Sequence, residues 1–437
     1  MSRIKGRVVQ FRSLGKKQPP EDPATKQSKS SNTQGGTQNV TPAPAQTSEQ
    51  LQQPLQVKTT SSTLQITLKN QTQSSSVYCF ITGQAIDYNY AVVILQADGQ
   101  SLYFPSNPTN IGSPLAVNCA IALGAPGNSR NVTIPRIAGG RIWFSIGSPL
   151  TFLLNPGGNN TPGLVEPSAT NPSDPNYNIS WAFAEFTYNQ AQMYANISFV
   201  DFVSLPISLS LTNTSGKTQT VPGLPTGGLS TINSLLQAQT KTDGCKGWGN
   251  LIVRNSAGNI LRALSPNNGN ILRPGDFGNY FDPYVNAVLA QYASGQTFTC
   301  TVNGQVYTGH TTPSSSGAAI TIGPEVFPRP STTDIFSSNT GPFVTGGDSL
   351  RNVMIPQLAA AFNRSTLLAA NAMPAPLVAF YQNAITNHYA RIVHQVVTDG
   401  MGYAFPYDDV PPSSGGDQSG FVSDGAPVNL TVVVGSG

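Results

Sequence analysis

From about Thr63 the chain alternates apolar and polar residues, Leu64-Gln65-Ile66-Thr67-Leu68, which sends side chains to opposite faces of an extended strand. Similar runs follow in YCFITG, YAVVILQ, GRIWFSIG and LTFLL, parted at short intervals by turn residues. This is the pattern of an antiparallel β-sandwich or barrel. After a loop at 155–177 come two more strand-like stretches, 181–188 and 197–211. Beyond Asn213 the period changes. Helices are predicted at 229–240, 280–293, 350–370 and 374–398, with the strand-like pieces GNLIVRN, FTCTVNG and AAITIG between them. An inserted mixed α/β region is the economical reading. The β-branched run 428–434 has no partner nearby in sequence and is expected to return to the first sheet.

Before Thr60 the pattern is absent: residues 18–60 are mostly Pro, Gln, Ser and Thr, too polar to offset chain entropy by burial. The chain therefore divides into a disordered polar leader at 1–60, a β-sandwich or barrel at 61–212, an α/β domain at 213–400 and a return segment at 401–437. Composition agrees with a mainly β, loop-rich protein. Only 10% of the 437 residues are charged, against 42 Gly and 35 Pro.

The net charge is +3, and much of the basic surplus sits in Arg3, Lys5, Arg7, Arg12, Lys16 and Lys17. A nearly neutral body argues against nucleic acid as partner and suits an uncharged polymer. No run approaches the roughly 20 apolar residues of a membrane span, and the N-terminus lacks the roughly 7–15 apolar residues of a secretory signal. Asn131, Asn178, Asn196, Asn213 and Asn429 head glycosylation triplets, common by chance in such a composition. Of the four cysteines, Cys79 is expected to pair with Cys119 and Cys245 with Cys300, the alternative being four buried thiols.

Chemistry concentrates in WAFAEFTYN and NISFVDFV. If both are strands, Trp181, Phe183, Glu185 and Thr187 share one face, and Phe199, Asp201 and Val203 share one face of the next. Two carboxyls beside aromatic neighbours suit glycoside hydrolysis, in which one protonates the leaving oxygen and the other activates water or attacks directly. Apolar neighbours would raise the acid's pKa. A separation of about 6.5–9.5 Å would give inversion and about 5–5.5 Å retention. Acidic residues on adjacent strands are, however, more often solvent-facing or paired with Lys or Arg.

The segment AEFTYN followed by YANISFVDFVSLPISLSL resembles the signature region of glycoside hydrolase family 64, the laminaripentaose-producing type of β-1,3-glucanase with a thaumatin-like β-barrel. The likeness continues through GRIWFS, WGNLIVRNSAGNILRALSP, FGNYFDPYVNAVLAQYASG and ARIVHQVVTDGMGYAFPYDDV, covering nearly everything after Thr60. It implies Glu185 as general acid, Asp201 as general base, and sugar contacts from Thr187 and Asn189. Tyr194 stands where bacterial members carry a sugar-stacking Trp, a departure that keeps an aromatic face. The same likeness puts Tyr407, Asp408 and Asp409 at the groove border, where the bland alternative is a turn in which Asp caps backbone amides. Arg141 and Trp143 would line the cleft floor, although a Trp in an alternating strand is more often core.

His310, His388 and His394 lack a second ligand at metal-like spacing, so no metal site is expected, and no cofactor is implied. His394 is expected to cap or pack on a helix. The resulting expectation is a monomeric, inverting β-1,3-glucanase with β-1,3-glucan as its partner, extracellular or in a cell wall by family likeness. The alternative is a thaumatin-like protein that binds β-glucan without cutting it.

Overall fold

In the computed structural model the described residues are 59–435 apart from Ser316, so the polar leader lies outside them but for its last two positions. Their architecture is mainly β. The strands that build the sandwich are β1 (Thr63–Asn70), β2 (Val77–Ala85), β3 (Ala91–Leu95), β4 (Ser129–Pro135), β5 (Ile137–Ile146), β6 (Ser180–Tyr188), β7 (Met193–Ile197), β8 (Ile207–Asn213), β9 (Thr218–Val221), β10 (Phe421–Asp424) and β11 (Pro427–Val434).

One sheet runs β9-β8-β11-β1-β4. Its period-2 pattern is explicit in β1, where Leu64, Ile66 and Leu68 are buried and Gln65 and Thr67 are not. The closing strand β11 lies between β1, to which it is parallel, and β8, to which it is antiparallel, with Leu430 opposite Ile66 and Val432 opposite Leu68. Each such fully buried aliphatic side chain contributes about 1.5–3 kcal/mol. The second sheet runs β10-β7-β6-β5-β2-β3 and ends on the short strand Leu102–Tyr103. It packs against the first through β6 and β7 on β8.

Between β9 and β10 the chain forms α1 (Gly228–Asp243), α2 (Pro266–Leu272), α3 (Asp282–Ala293), α4 (Ser349–Asn363) and α5 (His388–Val396). A further sheet joins Phe298–Val302, Gln305–Ser314 and Gly317–Ile322 with two short edge strands. The described residues cluster as one unit, and their main buried core runs from Leu64 through Trp248 and Phe281 to Val434, with a small separate cluster at Ala375, Ala379 and Phe380.

Three expectations need correction. The helix expected at 350–370 ends at Asn363, because the chain turns into the left-handed region at Ser365, φ 53°. Of 374–398 only His388–Val396 is an α-helix; Pro374 and Pro376 lack the amide hydrogens a helix needs, and Asn387 caps the new start by accepting from Ala390 N at 3.1 Å. The expected disulfides are absent: all four cysteines are free thiols. Cys79 Sγ donates to Phe80 O at 3.7 Å and Cys119 Sγ to Val117 O at 3.9 Å, so each hydrogen is already directed at a local carbonyl. Cys300 is buried within a strand, whereas Cys245 is half-buried at the start of the Lys246–Asn250 helix.

Candidate functional site

Strand register assembles the site. Glu185 on β6 lies opposite Arg141 on β5 and Asn196 on β7; Arg141 lies opposite Thr82 on β2, and Asn196 opposite Phe421 on β10. Directly opposed residues share a face. Thr82, Arg141, Glu185, Asn196 and Phe421 therefore form one row across the sheet, and Thr187, Tyr194 and Ser423 form another beside it. On the other side of the first row the same face is covered by rings. Trp143 is only 1% exposed and lies 4.9 Å from Phe183 and 5.7 Å from Trp181 between ring centroids. It belongs to the core, and Arg141 alone of that pair reaches the site. Glu185 is where the aromatic cover stops and the face opens, with 33% of its side chain exposed.

Asp201 is not on a strand, contrary to the alternation expected for NISFVDFV. It occupies a bend between β7 and the short strand Phe202–Val203. Two elements far along the chain hold this bend. At the start of α2, Ser265 N and Asn268 Nδ2 donate to the Asp201 carbonyl at 2.9 and 3.0 Å, and Asn268 Nδ2 also reaches Oδ1 at 3.3 Å. From the other flank Phe199 N donates to Tyr403 O, and Tyr389 Oη on α5 donates to Phe199 O, each at 2.7 Å. The bend is thus set by tertiary contacts that a period-2 reading cannot see.

A third carboxylate completes the group. Glu166, in the loop after the strand Pro162–Val165, accepts from Arg141 Nη1. The same guanidinium reaches Glu185 Oε1 with Nε and Nη2, both at 3.4 Å, and lies over the Phe183 ring at 5.0 Å from its centroid. Burial pushes the Glu185 carboxyl above its usual range, and the charge of Asp201 adds to this while Arg141 opposes it. Burial also raises Asp201, against Arg141 and the Asn268 hydrogen bond. Glu166 is raised by burial and by Glu185, with Arg141 opposing. Arg141 pays a desolvation cost, but the three carboxylates outweigh it and hold the guanidinium charged.

The other expected site residues divide. Tyr194 stacks on Phe421 at 5.2 Å and 23° between rings, and Phe421 is 40% exposed, so the pair offers a flat apolar platform beside Glu185. Thr187 is half-buried opposite Tyr194. Asn189 shapes the hairpin between β6 and β7: its Oδ1 accepts from Ala191 N and Gln192 N, both at 2.9 Å. Asp408 does not border a groove; it is fully buried, bonded to Arg364 at 3.0 Å and to His394 at 2.9 Å, and accepts from Ala404 N. Asp409 is half-buried, with its charge acting on Tyr194 and Tyr403, and Tyr407 holds a left-handed backbone, φ 70°. His388 accepts from Arg391 Nε at 3.0 Å. Sequence reasoning missed Glu166 and Phe421. Neither lies in a motif, although Glu166 is the one acidic side chain in the apolar stretch GLVEP.

Residues 62–434 match the sequence profile of glycoside hydrolase family 64, described as β-1,3-glucanase. A glucan endo-1,3-β-glucosidase of Cellulosimicrobium cellulans is 28% identical over 381 residues, which is 84% of this chain but 64% of that protein's length. A solved laminaripentaose-producing β-1,3-glucanase in complex with laminaritetraose is 30% identical, with TM-score 0.75, over 86% of this chain and 99% of the other. A family 64 β-1,3-glucanase domain from Clostridium beijerinckii, 23% identical, shares the fold with TM-score 0.65 over 86% of this chain and 98% of its own. A match that spans both sheets, the helical region and the closing strand places the whole described body, and not one motif, in a known lineage: the chain belongs to glycoside hydrolase family 64, the β-1,3-glucanases.

Proposed function

We propose that this chain hydrolyses β-1,3-glucan with inversion, Glu185 acting as general acid and Asp201 as general base. The observation that carries the reading is the Glu185 carboxyl, raised by burial, at the point where a ring-covered sheet face opens to solvent within the field of Asp201. Family membership and the likeness to an enzyme solved with laminaritetraose support β-1,3-glucan as the polymer.

In this mechanism Glu185 begins protonated and delivers its proton to the leaving glycosidic oxygen while Asp201 takes one from the attacking water. Burial keeps the proton on Glu185 to higher pH and makes Asp201 a stronger base. As the Glu185 proton leaves, Arg141 faces the carboxylate that forms and stabilises it. Tyr194 and Phe421 stack on a glucose ring, and the Thr187 hydroxyl contacts a sugar hydroxyl. Asp409, whose charge acts on Tyr194, and the nearby Tyr407 border the chain of sugars. Contacts remote from the cleaved bond can strengthen binding of the transition state.

The test is release of oligosaccharides from linear β-1,3-glucan. Wild type is expected to release them, and Glu185→Gln and Asp201→Asn to do so about 10²–10⁴-fold more slowly while melting at the wild-type temperature or above. Binding without release by wild type would favour the non-catalytic glucan-binding alternative. Full activity in either variant would remove that residue from its role.

A further inference from the structure

Two carboxylates contact one guanidinium at this site, with Asp201 acting on it through charge alone, and the sharing is unequal. Arg141 Nη1 is given to Glu166, while Nε and Nη2 converge on a single oxygen of Glu185, each at 3.4 Å. That distance lies beyond the roughly 2.7–3.2 Å of a good N–H···O bond. Thr82, whose Oγ1 accepts the indole hydrogen of Trp143 at 3.0 Å, keeps its own hydroxyl hydrogen free to turn and favours the charged form of Glu166. An acceptor paired with a guanidinium is best served as a carboxylate. Its loop is held from behind by Arg262, fully buried, which donates to the carbonyls of Tyr177 and Ile179 at 2.8 Å and of Ala169 at 3.4 Å.

Building on the reading of Glu185 as the acid, we propose that Glu166 is a positioning residue of the reaction: by holding Arg141 to itself it confines the guanidinium to a weak contact with Glu185, which keeps its proton until the leaving oxygen takes it. The charged and titratable groups around Glu185 are Arg141 on β5, Asp201 in the bend after β7, Glu166 in its loop, Tyr194 on β7 and Tyr403 from the 401–410 segment. Both tyrosines are pushed upward, chiefly by burial, and stay neutral. Glu166 and Asp201 are therefore the anions that favour the protonated acid, and Arg141 is the cation that opposes it.

Removing the Glu166 charge acts twice in one direction, since it deletes an anion and frees Arg141 to pair with Glu185. In Glu166→Gln the alkaline limb of the kcat/KM profile on linear β-1,3-glucan is expected to move to lower pH by about one unit. The titration midpoint of the Glu185 carboxyl, followed by NMR on carbon-labelled glutamate, is expected to fall with it. If Glu166→Gln does not fold, Glu166→Asp carries the test: its carboxylate is withdrawn from Arg141 by one methylene, and the midpoint should fall in the same direction by less. A uniform loss of rate with the limb and the midpoint unmoved would overturn the proposal and leave Glu166 as an ordinary ion-pair partner. The midpoint does not depend on turnover, so failure of Glu185 as the acid and failure of this role for Glu166 give different results.

Discussion

Glu185 gains its chemical character from its neighbours at the cost of local stability. A carboxyl whose folded pKa is raised binds its proton more tightly in the native state, so its contribution to stability falls as pH rises through the interval between the unfolded and folded values. Above that interval the ionised group is a net cost, which is why the Gln and Asn variants at 185 and 201 are expected to melt no lower than wild type. The platform beside it makes a separate claim. Phe421→Ala removes one of two stacked rings, and an aromatic contact of about 0.5–1.5 kcal/mol predicts a rise in KM of about 2- to 10-fold with little change in kcat. Steady-state rates on linear glucan decide it; a loss confined to kcat would contradict the platform role. Glu185 was legible because an acidic residue interrupts an apolar strand at an alternating position. Glu166 was not, since an irregular loop has no period from which to read a side chain's direction.

At the scale of elements, β5 presents Arg141 from a closely packed backbone. Its Arg141 is flanked by Gly140, where an added Cβ would come within 2.4 Å of the buried Phe186 ring. Gly140→Ala is therefore expected to destabilise the fold by about 1–3 kcal/mol through overpacking, measured by chemical denaturation, and to disturb the strand that presents Arg141. An unchanged midpoint would mean that the ring has room to move. The strands of the first sheet were legible because β1, β8 and β11 turn one face to the core and keep a period of two, whereas β2, β5 and β6 bury consecutive residues and were legible as apolar runs between turns. The helices after Asn213 were found in place but not in length: the turn after Asn363 and the break before Asn387 depend on a left-handed residue, prolines and a cap. Asp201 was named from the sequence but placed on a strand, because the bend that holds it is fixed by Asn268 and Tyr403 from remote segments.

For the whole molecule, a buried ionic cluster joins α4 and α5 to the return segment. Arg364 donates to Asp408 Oδ1 at 3.0 Å and to the carbonyls of Asp408 and Val410, both at 2.8 Å. His394 meets acceptors at both ring nitrogens, Gly400 O at 2.8 Å and Asp408 Oδ2 at 2.9 Å, an arrangement that only the imidazolium satisfies fully. Burial alone would lower the His394 pKa, but Asp408 raises it above the ordinary value. Because the folded value is the higher one, this stabilisation is complete below about pH 6.5 and is lost as pH rises through the folded pKa. His388, held down to about 4 chiefly by burial, acts in the opposite sense but only between about 4 and 6.5. Thermal melts above pH 6.5 should therefore fall with rising pH in wild type and lose much of that slope in His394→Gln; equal slopes would show that His394 is neutral in the fold. The signature blocks led to this cluster through YAFPYDDV, but a sequence does not say whether an Asp faces a groove or a buried Arg.

The most direct test of the central claim is proton NMR of linear β-1,3-glucan during the first moments of hydrolysis by the wild-type chain, with Glu185→Gln and Asp201→Asn as controls. Glu185 and Asp201 acting through an intervening water predict new reducing ends that first accumulate as the α-anomer and then mutarotate, with no signal from either variant on the same timescale. First accumulation of the β-anomer, or undiminished release by a variant, would contradict the account.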